Sequence, residues 1–357
     1  MSGFETIVNS TAGVGVFNGS CMNDNNSSSG ARYSSMWTDV CLSVAFIVAG
    51  GLANGAVIWV LGFQMKRSGF LTYVLNLSVA DFFFCVLLAT QIPMYLAKNA
   101  YMYGLVLCRI EQYVTRVFYY AGTLLVASIC LERCLAIRHP IWHKCRRPKS
   151  TPAITCAVAW SISLLLALTT PINLEMVDFG TKMGLRCYVK EMKAVKLIST
   201  LELILVFLLP LCMILTCSSF IARQLASESK AGTRRCQANR TVCMTALLFL
   251  VCWTPFQLSQ YTILIQLMFL PQNMQLLSIA STIASYTSYL LYCHSCLNPF
   301  IYVLMGRSLK KKILHSLPSL KSSFERAFNE GNGEAATAEV SRTLARSSCS
   351  ASLKQII

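Results

Sequence analysis

The 357-residue chain carries 31 Lys and Arg against 15 Asp and Glu, a formal charge of +16, yet only 13% of its residues are charged while 55% are hydrophobic, with mean hydropathy +0.54. A soluble domain carries roughly a quarter charged residues, so lipid is the expected solvent. The basic residues border apolar stretches instead of forming one patch, which argues against a nucleic-acid-binding domain.

Residues 1–36 are polar, rich in Asn, Ser and Gly, and lack the apolar core of a cleavable signal, so the first span is expected to start insertion. This segment holds four N-glycosylation acceptors, Asn9, Asn18, Asn25 and Asn26. Seven apolar stretches follow, approximately 37–62, 71–96, 105–137, 153–173, 195–222, 240–268 and 277–304. Each reaches the roughly 20 residues that a helix needs to cross the hydrocarbon core. Helices are expected because backbone amides in lipid must bond internally.

Orientation follows from the basic residues, which gather in cytoplasmic loops. Lys66 and Arg67 follow the first span; Arg133, Arg138, Lys144, Arg146, Arg147 and Lys149 the third; Arg223, Lys230, Arg234, Arg235 and Arg240 lie between the fifth and sixth; Arg307 and Lys310 to Lys312 follow the seventh. The N-terminus is therefore expected outside and the C-terminus inside. The sequons at Asn76, within the second span, and Asn239, at the cytoplasmic foot of the sixth, are expected to stay unmodified.

Most of the 17 cysteines, such as Cys85, Cys130 and Cys252, lie in apolar spans and read as small buried hydrophobes. Cys108 opens the third span and Cys187 lies between the fourth and fifth, both on the oxidising side, where a disulfide would pin that loop over the bundle. Cys21 and Cys41 are a further pair whose connectivity the sequence leaves open. After the seventh span, Lys310 to Lys312 alternate with Leu309, Ile313, Leu314 and Leu317, which fits a short amphipathic helix on the anionic inner leaflet. In the tail, Ser341, Thr343, Ser347, Ser348, Ser350 and Ser352 are either a cluster that phosphorylation would make strongly acidic, which in the receptor family that the spans resemble (below) would imply an arrestin-docking site, or a plain Ser-rich disordered segment.

The expected architecture is thus an all-α membrane protein: 1–36 an extracellular glycosylated tail, 37–305 a seven-transmembrane bundle, 306–317 a membrane-surface helix and 318–357 a disordered cytoplasmic tail. No internal repeat suggests a transporter and no polar pore series a channel. Metal-ligand spacing, phosphate loop and nucleophile elbow are all missing, and the four histidines are scattered. No enzyme activity, cofactor or metal centre is expected.

Certain residues recur at telling places. These are Asn54 in the first span, Asn76-Leu77-Ser78-Val79-Ala80-Asp81 in the second, Cys108 and Glu132-Arg133-Cys134 in the third, and Trp160 in the fourth. Pro210 follows in the fifth, Cys252-Trp253-Thr254-Pro255 in the sixth and Asn298-Pro299-Phe300-Ile301-Tyr302 in the seventh. The whole series resembles the rhodopsin-like G-protein-coupled receptors. Trp59 to Arg67, Glu132 to Leu135 and Pro140 to Pro148 are similar to the Mas and Mas-related branch. The outer half departs from that branch: Trp253 and the Cys108 with Cys187 pair resemble the wider family, whereas Mas-related receptors commonly lack both. A chemoattractant-type receptor for a lipid or an anionic peptide is the neighbouring alternative, and a non-signalling decoy receptor a further one.

The resemblance implies a plasma-membrane receptor for an extracellular ligand, a basic peptide or amphipathic cation, that activates a heterotrimeric G protein. It implies that Arg133, beside Glu132, pairs internally at rest and meets the C-terminal helix of the G-protein α subunit when active. Asp81 is either a structural acid or a hub facing Asn54 and Asn298, with sodium a candidate ligand, although Gly122 stands where the family's strong sodium sites carry Ser. Pro210, Pro255 and Pro299 each remove a backbone hydrogen bond and kink their helix. Trp253 lies two residues before one kink and Phe249 one turn deeper, so a ligand pressing there would bias the sixth span outward. No acid lies between Ser229 and Met268 to latch Arg133, and Ser218 replaces the Tyr often found on the fifth span, so raised basal activity is expected.

Helical spacing from Arg133 and the prolines puts Thr115, Arg116, Tyr119, Glu202, Phe256, Gln260, Ser288 and Tyr292 on inward faces of the outer half, with Glu111, Glu175 and Asp178 at the mouth. Arg116 and Glu202 either neutralise each other or act separately, as anchors for a ligand carboxylate and a ligand cation. Thr115 occupies the place where monoamine receptors carry Asp, and Tyr292 the place where opsins carry Lys. Neither an amine counter-ion nor a Schiff base is available.

Overall fold

The computed structural model describes residues 29–65, 69–97, 103–178, 185–189, 191–227, 233–269 and 274–305. All belong to a unit that ends at Gly306. The second unit, Arg307–Ile357, lies outside the described residues, as do the four N-terminal sequons, Cys21, the expected amphipathic helix and the serine cluster.

Among the described residues seven helices are long and apolar enough to cross a membrane: Met36–Gln64, Gly69–Leu96, Gly104–Arg138, Thr151–Asn173, Lys193–Arg223, Cys243–Gln266 and Gln275–Ile301. They form the seven-span bundle that the sequence predicts, with bounds within a few residues of the apolar stretches. The first helix begins earlier, at Ser29, and the sixth at Thr233. Burial sets their order. The third span hides 72% of its apolar window, against 28% for the first and 33% for the fourth, so the third is the axis and the other two are rim. It packs against the second, fourth and fifth spans, while the seventh packs against the sixth, first and second. Large apolar side chains on outward faces, such as Leu52, Leu165 and Leu258, are exposed, as suits helices solvated by lipid tails.

Two features of the backbone position the site. Wide π-type turns interrupt or follow three helices, at Val60–Gln64, Trp142–Arg146 and Glu202–Leu208. The last immediately precedes Pro210, which has no N–H to continue the regular ladder, and it places Glu202 against the third span. The loop between the fourth and fifth spans adds two strands to the all-α reading, β1 (Leu174–Asp178) and β2 (Leu185–Val189). They pair antiparallel with Met176 opposite Cys187. Cys187 is disulfide-bonded to Cys108, and Arg109 donates to the Leu174 carbonyl at 2.9 Å, so the hairpin is tied to the outer end of the third span. Met94, Leu174, Val189, Val195 and Ile198 pack around that disulfide.

Of the described glycines, Gly50 leaves the least room for a side chain. A Cβ there would lie 2.4 Å from Cys85 Sγ and 3.2 Å from Cys296 Sγ, so only glycine lets the first span reach the second and seventh, as small residues do at membrane-helix interfaces. Gly50→Val is expected to lower the stability of the solubilised protein by about 1–3 kcal/mol through overpacking. Gly62→Ala, where nothing lies within 4 Å of the added atom, is expected not to lower it. Thermal melting of the purified variants reads both.

Candidate functional site

The outer half of the bundle is built on the third span. Arg116, buried on its inner face, donates to the Glu202 carboxylate and, at 3.1 Å, to the Tyr120 hydroxyl. Tyr120 also donates to Glu202. The geometry corresponds to the neutralising arrangement of Arg116 and Glu202, with side chains 8% and 18% exposed. Tyr119 accepts a hydrogen bond from Gln257 at 3.0 Å and stacks on Trp253 with ring centroids 4.9 Å apart. Tyr292 stacks on Phe84 at 4.6 Å, and Phe84 reaches back to Tyr119 at 6.1 Å. Arg116, Tyr119, Glu202, Trp253 and Tyr292 are therefore joined in one contiguous set.

The remaining expected pocket residues are less central. Thr115, Phe256 and Ser288 are buried, Gln260 is half-buried, and the Ser288 hydroxyl donates to the Ser285 carbonyl at 2.7 Å. Glu111 accepts from Thr90 at 2.7 Å near the outer ends of the second and third spans. Glu175 is exposed on β1, and the Asp178 side chain lies outside the described residues. Tyr120, Gln257 and Phe84 were not picked out by the sequence. Tyr120 follows Arg116 by four and Gln257 follows Trp253 by four, so the one-turn rule could have found both; Phe84 carried no such signal.

Deeper in, Trp253 is held between Tyr119 and Phe249, the latter stacked at 5.0 Å. Beside it lies a small cavity lined by Asp81, Phe84, Phe118, Tyr119, Gly122, Trp253, Leu291, His294 and Ser295. Asp81 accepts from Asn298 Nδ2 at 2.8 Å. Asn54 does not face Asp81 as the sequence reading expects. Its amide donates to the Gly50 and Ser295 carbonyls, at 3.0 and 3.1 Å, because its short side chain meets the seventh-span backbone first. Toward a hard cation the cavity offers the Asp81 carboxylate and the Ser295 hydroxyl, while Gly122 offers no hydroxyl and His294 presents nitrogen where such a cation prefers oxygen. Among the described residues no group of three or more His, Cys, Asp or Glu is placed to hold a metal ion.

At the cytoplasmic end the expected internal pairing of Arg133 with Glu132 is not what the structure places there. Glu132 accepts from Arg147 and lies 3.0 Å from His143 Nε2, while the Arg133 guanidinium sits over the Phe70 ring, 3.5 Å from its centroid. Neighbouring residues on a helix point about 100° apart and do not face each other, so each finds its partner on a different element. Among the described residues Ser218 Oγ is buried with no hydrogen-bond partner. Pro255 and Pro299 lie inside their helices, and Tyr302 is helical with its side chain outside the described residues.

The sequence profile described as 7 transmembrane receptor (rhodopsin family) matches residues 53–302, which include Asn54, Asp81, Arg133, Pro255 and Asn298. The chain belongs to this family. The receptor is 29% identical over 319 residues to Formyl peptide receptor 2 of Mus musculus, covering 85% of this chain and 88% of that protein. It is 28% identical over 337 residues to the fMet-Leu-Phe receptor of Pongo pygmaeus, covering 89% and 93%. It is 30% identical over 284 residues to C5a anaphylatoxin chemotactic receptor 1 of Gorilla gorilla gorilla, covering 79% of each. These relatives are receptors and not enzymes, and the receptor is accordingly a multi-pass membrane protein.

Removing one member of a buried ion pair strands the other's charge. Arg116→Ala and Glu202→Ala are each expected to destabilise the solubilised receptor by about 3 kcal/mol. The reversed pair, Arg116→Glu with Glu202→Arg, is expected to recover most of that loss. Melting of the four proteins checks it, and two silent single substitutions would contradict the pairing.

Proposed function

We propose that the receptor binds an extracellular peptide at the plasma membrane and activates a heterotrimeric G protein on the inner face. The observation that carries this reading is likeness over most of the chain to receptors named for a formyl peptide, for fMet-Leu-Phe and for C5a anaphylatoxin. The outer pocket supports it. Arg116 and Glu202 offer one charge of each sign in contact, which suits a peptide end carrying both: its carboxylate takes Arg116, its cationic group takes Glu202, and the internal pair is replaced. Thr115, Tyr119, Phe256, Gln260, Ser288 and Tyr292 line the rest, with Glu111 at the rim.

Transmission follows from the packing. A ligand that parts Arg116 from Glu202 disturbs Tyr119 and Tyr120, one turn along the same helix. Tyr119 bears on Trp253, two residues before the Pro255 break, so the cytoplasmic half of the sixth span is biased outward as a shift between two packings. Asn54, Asp81, Asn298, Pro299 and Tyr302 carry the change along the seventh span, and Arg133 meets the G protein beside Ser218. The division into 1–36, 37–305, 306–317 and 318–357, with glycans outside and lipid and arrestin contacts inside, completes the proposal.

The finer placement in the Mas-related branch rests on Trp59 to Arg67 and Pro140 to Pro148 and favours a basic peptide or amphipathic cation. Trp253 and the Cys108–Cys187 bond favour the chemoattractant type. Membranes from cells expressing the receptor are expected to load guanine nucleotide onto G-protein α subunits in response to members of a panel of formylated, anionic and basic peptides. Arg133→Ala is expected to abolish the response while leaving peptide binding measurable. A surface-expressed receptor that binds a peptide and yet drives no G protein would transfer the chain to the decoy class.

A further inference from the structure

Two buried thiols face each other between the second and seventh spans and take no part in the mechanism above. Cys85 is fully buried, Cys296 is 8% exposed, and both are free. A Cβ on Gly50 of the first span would fall 2.4 Å from the Cys85 sulfur and 3.2 Å from the Cys296 sulfur, so the two thiols share the space that the missing side chain leaves. They are hydrogen-bonded to each other, and Cys296 donates to the Phe46 carbonyl at 3.8 Å. Asp81, one turn before Cys85, and Asn298, two residues after Cys296, make the next tie between the same two helices, at 2.8 Å. Gly50 lies about midway along Met36–Gln64, so the pair stands deep in the bilayer. A thiolate or a sulfinate there would put charge in lipid; a disulfide adds none. Access is uneven for the same reason. An uncharged hydroperoxide dissolves in the membrane interior, while the glutathione and thioredoxin that keep thiols reduced act in water. Cys134 and Cys217, also hydrogen-bonded to each other, lie at the end expected to face the cytosol, within reach of those reductants.

We propose that Cys85 and Cys296 are a dithiol site for lipid-soluble hydroperoxides, whose reaction ties the second span to the seventh covalently. One thiol attacks the peroxide; the O–O bond breaks, an alcohol leaves with that thiol's proton, and the sulfur becomes a sulfenic acid. The second thiol displaces the hydroxyl, which leaves as water with the second proton, and the S–S bond forms. Two thiols and one hydroperoxide thus become one disulfide, one alcohol and one water, the sulfurs losing the two electrons that the peroxide gains. The bridge joins the helices that Asp81 and Asn298 already tie and opposes their repacking. Its effect on signalling rests on the G-protein reading above; the bridge itself does not.

The test uses the full chain in membranes, with cumene hydroperoxide as the probe. After treatment, unfolding and alkylation, the peptides carrying Cys85 and Cys296 are expected to be recovered joined and short by two hydrogens, and Cys293→Ala is expected to leave that junction in place. A charged phosphine is expected to leave the bridge closed in the membrane, and uncharged dithiothreitol to open it. The bridged receptor is expected to melt roughly 5 °C higher and to lose about fivefold in peptide-driven nucleotide exchange, the population change of a small bias on a two-state equilibrium; Cys85→Ala is expected to show neither effect. Cys85 and Cys296 alkylated as fully after treatment as before, or Cys296 joined to Cys293 instead, would overturn the site. A bridge that the phosphine opens as fast as dithiothreitol would overturn the lipid route, and one that leaves melting and exchange unchanged would overturn the clamp. Should Cys85→Ala fail to reach the membrane, peptide recovery from the wild-type chain decides alone. A bridge that forms and raises melting while no form of the receptor, with any peptide, drives a G protein would uphold the site and count against the G-protein reading.

Discussion

A bilayer holds no water to satisfy a polar group, so a polar side chain inside the bundle must find its partner within the protein, on its own helix or on another span, or leave its solvation unreplaced. The cross-span ties of this receptor obey that constraint. Trp160 donates to Asn76 at 3.0 Å between the fourth and second spans, Asn54 reaches the Ser295 carbonyl between the first and seventh, Asn298 reaches Asp81 between the seventh and second, and Arg116 meets Glu202 between the third and fifth. Each tie fixes both register and rotation of two helices at once, which apolar contact in lipid does not, since lipid tails compete for the same surface. The close approach at Gly50 then sets how near the first span comes to the second and seventh.

The same constraint makes the structure switchable. A tie can be exchanged for another of similar energy but not simply lost, so the packed states are discrete. In the mechanism proposed above, Arg116 and Glu202 pass to a ligand that offers both charges, and Arg133 leaves the Phe70 face for an acceptor on a partner. The column from Tyr119 through Trp253 to Phe249 lies between these two ends. It adjoins the small cavity that Trp253, Leu291, His294 and Ser295 line from the sixth and seventh spans, whose helices contain Pro255 and Pro299.

Much of this is written in the amino acids, because lipid simplifies the code. Seven apolar runs suffice for span number, and Cys108 with Cys187 for the covalent tie; the placement of Lys66, Arg67, Arg138 and Arg146 carries the proposed orientation. Pro255, Trp253 and Asn298 mark the proposed moving parts through chemistry that their neighbours cannot supply. What stayed hidden depends on rotation and on contacts distant in sequence. The π-type turn at Glu202–Leu208 shifts the phase of the fifth span, and helical counting from Pro210 has no signal for it. The hairpin at Leu174–Val189 consists of two five-residue strands, too short for alternation to register beside a span. Glu132 looked like the partner of Arg133 because the two are adjacent, whereas adjacency on a helix separates side chains; Arg147 lay fifteen positions away on a loop whose fold was unknown.

In the proposed mechanism these cross-span ties hold a resting bundle from which the cytoplasmic half of the sixth span moves outward when a G protein is engaged. Spin labels at Ile154 and Met244, both exposed on their helices, with other exposed thiols removed, report that separation by pulsed dipolar spectroscopy. The expected result is a distribution with a shorter and a longer population, the longer growing when nucleotide-free G protein is added and growing further with an activating peptide. A single distance unchanged by G protein and peptide, in receptor that still binds the peptide, would contradict the account.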